Sequence, residues 1–266
     1  LTPGKVQVEP VITKATEVNF EAGDQIGFTM TKVNGTEAYA DNAALTFDGT
    51  VFSGDLKWYA DAYSEADVYA YYPYNANGTP TAYFAVEDQT DGIAKADLMA
   101  AVKKGVLPTP NAITMVFKHL MTKLVINIDN QSGAEVTGVE IGGCRLVTGL
   151  DISEMALTKY TDIVIEAEPL IKAYEATAGK VWQAIVIPDK AKLEIIVNLS
   201  NGKKITQPLA EMTLKSGGQY SINARLLQDD MTVSASGEIE NWTDEGEIGF
   251  DGEGTTEELP VEFTEY

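Results

Sequence analysis

Histidine and cysteine are almost missing from this chain, which contains His119, Cys144 and no others. One histidine excludes a paired-histidine metal site or a histidine-rich zinc motif, and one cysteine excludes an intramolecular disulfide or a thiolate cluster. There is no Gly-x-Ser-x-Gly turn to present a serine nucleophile and no glycine-rich phosphate loop. No apolar run reaches the roughly 18 residues that a membrane-crossing helix needs. Basic residues are scarce as well: 19 Lys and Arg stand against 40 Asp and Glu, a net charge of −21. Such a surface repels nucleic-acid phosphates and anionic lipid, which removes both as partners. Lys and Arg stop at Arg225 and 13 acidic residues follow, a pattern that reads as a solvated tail.

The few residues with chemistry to offer have structural readings. His119 lies in an apolar strand, where an imidazole satisfied by its neighbours is expected. Cys144, among Ile141, Gly142, Gly143, Arg145 and Leu146, reads as a small buried hydrophobe at a strand edge. Asp88-Gln89-Thr90-Asp91-Gly92 lacks the ligand series and closing glutamate of a calcium loop and reads as a turn. With 40 acids, pairs of carboxylates are inevitable and point to no glycosidase. No catalytic residue, cofactor or resident metal is expected.

What the chain has in abundance is alternation. Leu193, Ile195 and Val197 alternate with other residues up to an Asn201-Gly202 turn, and residues 203–209 follow, predicting a β-hairpin. Further strands are predicted at 24–29, 45–47, 51–58, 67–72, 115–128, 163–165, 182–187 and 220–226. Many short strands separated by turn signals indicate an all-β, sandwich-type protein. Ile93, Ala96, Leu98, Met99 and Val102 recur at helical spacing ahead of Gly105 and Pro108, predicting one short helix over 93–104 with Asp91 as a candidate cap. The polar turn Asn130-Gln131-Ser132-Gly133 divides the chain into residues 1–130 and 131–266, each of ordinary domain size.

Both ends look like strands in need of a sheet. Val6, Val8 and Ile12 alternate with Gln7, Glu9 and Thr13, interrupted by Pro10. At the far end the acidic stretch 251–258 precedes Leu259, Val261 and Phe263, which alternate with Pro260, Glu262 and Thr264. A lone strand leaves backbone groups and apolar side chains without partners, so each end requires a groove. Tyr69, Tyr71, Tyr72 and Tyr74, with Trp58 and Tyr59 nearby, form the best case for a sugar-stacking surface. Alternation sends Tyr69 and Tyr71 to one face and Tyr72 to the other, so core packing is the default expectation.

Five segments carry a resemblance. Ala22-Gly23-Asp24-Gln25-Ile26-Gly27-Phe28, Ala70-Tyr71-Tyr72-Pro73-Tyr74, Phe117-Lys118-His119 through Lys123-Leu124, Gly217-Gly218-Gln219-Tyr220 and Ile239-Glu240-Asn241-Trp242 stand in that order. Together they resemble the Bacteroides-type fimbrillins, the family of major and minor fimbrial subunits and Mfa-like proteins. The resemblance implies two transthyretin-like β-sandwich domains, export as a lipoprotein precursor, and a place on the outer membrane and in cell-surface fimbriae. A lipid anchor of the precursor would be its one link to the membrane, and other pilin subunits its partners, with surface glycans or proteins as further ones. The resemblance also implies that a trypsin-like protease removes a first strand, here Val6, Val8 and Ile12, by cutting Lys14–Ala15, where the family commonly has Arg. The emptied groove would accept a donor strand from another subunit, here Leu259, Val261 and Phe263. The alternative reading is a monomeric surface lipoprotein that binds carbohydrate.

Overall fold

Runs of alternating apolar and polar residues become strands nearly everywhere in the computed structural model, which describes residues 4–12, 20–33, 35, 38–158, 170–228, 230–238 and 247–248. The first strands are β1 (Lys5–Ile12), β2 (Gln25–Lys32), β3 (Ala38–Phe47), β4 (Phe52–Lys57), β5 (Ala66–Tyr72), β6 (Ala82–Phe84), β7 (Met99–Val106) and β8 (Ile113–His119). All but β6 join in the order β1-β4-β3-β2-β5-β7-β8, and pairing of β1 with β8 closes the barrel. Every second residue points inward and fills the barrel, with Ile26, Phe28, Met30, Phe52, Val68 and Phe117 at its centre.

The later strands are β9 (Thr122–Asn130), β10 (Val136–Gly142), β11 (Val147–Asp151), β12 (Ala156–Thr158), β13 (Ile171–Lys172), β14 (Tyr174–Thr177) and β15 (Val181–Val186). They continue with β16 (Lys190–Ala191), β17 (Glu194–Leu199), β18 (Lys204–Pro208), β19 (Met212–Thr213), β20 (Gln219–Leu226), β21 (Met231–Glu238) and β22 (Glu247–Ile248). A six-stranded sheet, β14-β15-β9-β20-β21-β22, and a four-stranded sheet, β13-β10-β17-β18, enclose a second core around Leu124, Ile126, Trp182, Ile195, Val197 and Ile222. The hairpin read from Asn201-Gly202 is present as β17–β18, with Asn198 opposite Lys204 and Gly202 at a φ of 82°.

A third apolar cluster, which includes Tyr71, Leu98, Met121, Leu150, Ile185 and Ile187, joins the two cores. Three polar devices reinforce the junction. Strand β6 pairs with β11, and the Lys172 ammonium lies 2.7 Å from Asp88. The buried Gln89 side chain donates to Val86 O and Ile185 O and accepts from Ile185 N, each at 2.8 Å.

Two expectations change. The predicted helix over 93–104 is absent: Ala94–Ala96 make one turn of 3-10 helix with no side-chain cap, and the chain then enters strand β7. Among the described residues there is no α-helix. The pattern misleads because β7 is buried on both faces. Met99 and Ala101 point into the barrel while Leu98 and Ala100 belong to the cluster outside it. A strand covered on both sides shows no period of two, and pairing with β5 overrides the helical preference of its alanines. Gly105, expected to end a helix, instead donates its amide to the Asp67 carboxylate at a φ of 65°. The run 115–128 is likewise two strands: the chain breaks at Leu120–Met121, leaving β8 in the barrel and β9 in the six-stranded sheet.

The motif residues are interlocked. Gly23, at a φ of 102°, lets Asp24 turn back and accept the Glu21 amide, and Asp24 also accepts from the Tyr72 hydroxyl. Tyr71 lies across Gly27 and donates its hydroxyl to Asn42 Oδ1 at 2.5 Å. Alternation of β5 is as expected: Tyr72 packs into the barrel, and Tyr71 into the joining cluster.

Candidate functional site

Among the described residues, strand β1 is the first extended segment, and it completes a sheet from both sides. Its sequence gives it an apolar face of Val6 and Val8, and both side chains are fully buried in the barrel core. On one side β1 runs antiparallel to β4, with Gln7 opposite Ser53 and Val8 opposite Phe52. On the other it runs parallel to β8, from Val8 opposite Ile113 to Ile12 opposite Phe117.

The pairing explains Pro10. Contact with β4 ends at Val8, so beyond that point β1 has one neighbour. Proline has no amide hydrogen to donate, which is tolerable where a ladder is missing on one side. Ile12, on the same face as Val6 and Val8, is half-buried at the margin, while Val11 is 43% exposed.

Side-chain ties between β1 and its neighbours are slight. The Thr114 hydroxyl donates to Glu9 at 3.3 Å, and Lys5 approaches Asp55 at 4.0 Å in solvent. Exposed pairs of this kind contribute little. The strand is held instead by main-chain hydrogen bonds and two valines, whose burial is worth about 3–5 kcal/mol together. Main-chain pairing is indifferent to sequence, so any extended peptide with apolar residues at alternate positions could occupy the same place.

Phe20, which the sequence reading passed over, is fixed beside this slot. Its ring meets Phe52 at 4.9 Å, Phe117 at 5.2 Å and Tyr72 at 5.3 Å, each nearly edge-on. Phe52 and Phe117 belong to β4 and β8, the two strands flanking β1. A large apolar residue directly ahead of the Gly23-Asp24 turn was the available signal. Lys14 and Ala15, between Ile12 and Phe20, lie outside the described residues, as do Leu259, Val261 and Phe263, the strand expected at 163–165 and the motif at 239–242.

Elsewhere the chemistry is structural. His119 Nδ1 lies 2.7 Å from Asp97 Oδ2, both side chains buried where β7 begins and β8 ends. Residues 88–92 form the expected turn: the Lys172 ammonium and the Thr90 hydroxyl and amide hold the Asp88 carboxyl down to about 2. Among the described residues no cluster of His, Cys, Asp and Glu could hold a metal ion, and no helix is long and apolar enough to cross a membrane. Burial pushes the Cys144 thiol up to about 12. Cys144 is half-buried, so the native protein is expected to react with iodoacetamide at pH 8 more slowly than the urea-unfolded chain, measured by intact mass. Rapid native alkylation would contradict this placement.

The fimbrillin-like family model matches residues 13–242. Among solved structures, a proposed cell adhesion protein from Bacteroides uniformis ATCC 8492 is similar with a TM-score of 0.69 and 23% identity, covering 90% of this chain and 98% of that one. Its counterpart from Bacteroides ovatus ATCC 8483 is similar with a TM-score of 0.72 and 22% identity, over 92% and 100% of the two chains. A fimbrial protein from the same Bacteroides ovatus strain gives 0.51 and 17%, over 86% of this chain and 49% of its own. At these identities the three share the fold. No curated protein matches the sequence.

Proposed function

From the premise that this chain belongs to the fimbrillin-like family, and is thus a structural subunit of cell-surface fimbriae and not an enzyme, we propose that it polymerises by strand exchange at the β1 seat. In this reading a protease cuts Lys14–Ala15 in the exported, lipid-anchored precursor at the outer membrane. Strand β1 leaves, and β4 and β8 present open edges above an apolar channel. A second subunit then supplies its segment around Leu259, Val261 and Phe263. The two-domain organisation, residues 1–130 and 131–266 as transthyretin-like sandwiches, belongs to the same proposal. Two apolar cores support a division into two units, with β9 packed in the second core and the first core enclosed by the barrel.

The observation that carries the reading is the two-sided seating of β1, with Val6 and Val8 buried between strands that touch them mainly through the backbone. Magnitudes favour exchange. Three large apolar donor residues bury about 5–8 kcal/mol of transfer free energy, against about 3–5 for the two resident valines. A head-to-tail contact that does not close on itself propagates as a filament.

Limited trypsin digestion tests this. The cut chain is expected to lose residues 1–14 and then form a ladder of bands on a gel run without boiling, while uncut protein stays a single band. Removing residues 259–266 is expected to abolish the ladder and leave the far-UV spectrum unchanged. Ladders from the shortened chain would refute the donor assignment, and a cut chain that stays monomeric would refute exchange itself.

A further inference from the structure

The side of the barrel farthest from β1 carries a second feature. Strands β2, β3 and β5 there meet the 79–81 segment and the β11–β12 hairpin, and the three enclose a cleft of about 560 Å³. That volume falls within the range of small-ligand sites. Tyr69 forms one wall: it sits on the outer face of β5, half-buried, while its neighbours Val68 and Ala70 fill the barrel. The apolar Leu150 and Ile152 also line the cleft and belong to the buried cluster against which Tyr69 packs, leaving Tyr69 partly exposed.

The polar groups of the cleft are of one kind. Asp41 Oδ1 accepts from the hydroxyls of Thr29 and Thr79 at 3.4 Å each. Asp151 Oδ1 accepts from the Ser153 hydroxyl at 2.7 Å and the Glu154 amide at 3.2 Å, bonds that hold its carboxyl below the usual range. Burial, with nearby carboxylates, pushes the Tyr69 phenol up, so that it stays neutral and can donate. Among the described residues lining the cleft none is basic.

An aromatic wall, two carboxylates and several hydroxyls without a positive charge suit a ligand that is apolar on one face and rich in hydroxyl donors at its rim. A sugar ring has this character: its C–H face lies on an aromatic ring while its hydroxyls donate to carboxylates. Phosphorylated, sulfated or carboxylated sugars would meet Asp41 and Asp151 with like charge and nothing to offset it. We propose that this cleft binds one neutral pyranose unit of a glycan, with Tyr69 as the stacking platform and Asp41 and Asp151 as hydroxyl acceptors. The cleft shares no strand with the β1 seat and its two neighbours, so this activity stands or falls independently of strand exchange.

Saturation-transfer NMR on the full chain tests it, using the methyl pyranosides of glucose, galactose and mannose, with N-acetylneuraminic acid as the anionic control. Transfer to at least one neutral sugar and none to the anion is expected. Tyr69→Ala and, separately, Asp41→Ala should each weaken the neutral sugar on the order of tenfold. Asp41 is exposed, so its variant keeps the thermal unfolding midpoint of the parent and isolates the binding effect. Silence from all three neutral sugars, equal response to the anion, or unchanged affinity in both variants would overturn the assignment.

Discussion

Replacing Val8 by aspartate is expected to destabilise the protein by about 4 kcal/mol or more, the lost burial of a valine plus the cost of turning a carboxylate into an apolar core. Val8 is completely buried and touches both flanking strands. Val11, three residues along the same strand, is 43% exposed, and Val11→Asp should cost under about 1 kcal/mol. Urea unfolding followed by tryptophan fluorescence, to which Trp58 in the barrel core and Trp182 in the second core both contribute, measures both. The contrast matters more than either value, because it separates damage to the seat from damage to the strand. Hydrogen exchange should show the loss of protection in Val8→Asp concentrated in β1, β4 and β8. If strand exchange is right, this variant should also form ladders without prior proteolysis, since its β1 no longer competes for the slot. Equal costs at the two positions would refute the buried seat.

The second large effect is expected at Gly27. A Cβ there would stand 2.2 Å from Tyr71 Cε1 and 2.6 Å from Asn42 Oδ1. Tyr71 cannot swing aside easily: it is 2% exposed and its hydroxyl is bonded to Asn42. Gly27→Ala should therefore cost about 2–3 kcal/mol through overpacking. In a Tyr71→Ala background, where the ring is gone and only the Asn42 side chain must give way, the same change should cost clearly less, giving a coupling energy of about 1–2 kcal/mol. Equal costs in the two backgrounds would remove the contact as the reason for the glycine. The cycle joins the last glycine of the Gly-Asp-x-Ile-Gly segment to the first tyrosine of the Tyr-Tyr-Pro-Tyr segment. Two motifs 44 positions apart thus form one contact between paired strands, with Gly27 directly opposite Tyr71.

Much of this protein is legible without coordinates. Alternation within single segments marks β5, β18 and β20, because a strand with one wet face records its orientation residue by residue. Strands β15 and β17, buried on both faces, are marked instead by their β-branched apolar runs and the turns beside them. The Asn201-Gly202 turn announces its hairpin for a similarly local reason, since positive φ is available there at little cost. The split of Tyr71 from Tyr72 and the apolar face of Val6 and Val8 follow from the same period. The five ordered motifs lead to the family.

Other features are written in no single segment. The stretch 98–102 resembles a helix because both of its faces are buried, which erases the period that would identify a strand. The break at Leu120–Met121 is invisible in a continuous apolar run, since each half satisfies its backbone in a different sheet. Nor can local sequence reveal that Val8 lies between Phe52 and Ile113, or that Phe20 closes in beside them. The strand pairings span 44 and 105 positions and depend on which backbone edges remain open once the other strands have assembled. Local periodicity thus determined that the chain is built from strands and which side of most of them is apolar. Tertiary hydrogen bonding alone decided which edges meet, and so where a replaceable strand can sit.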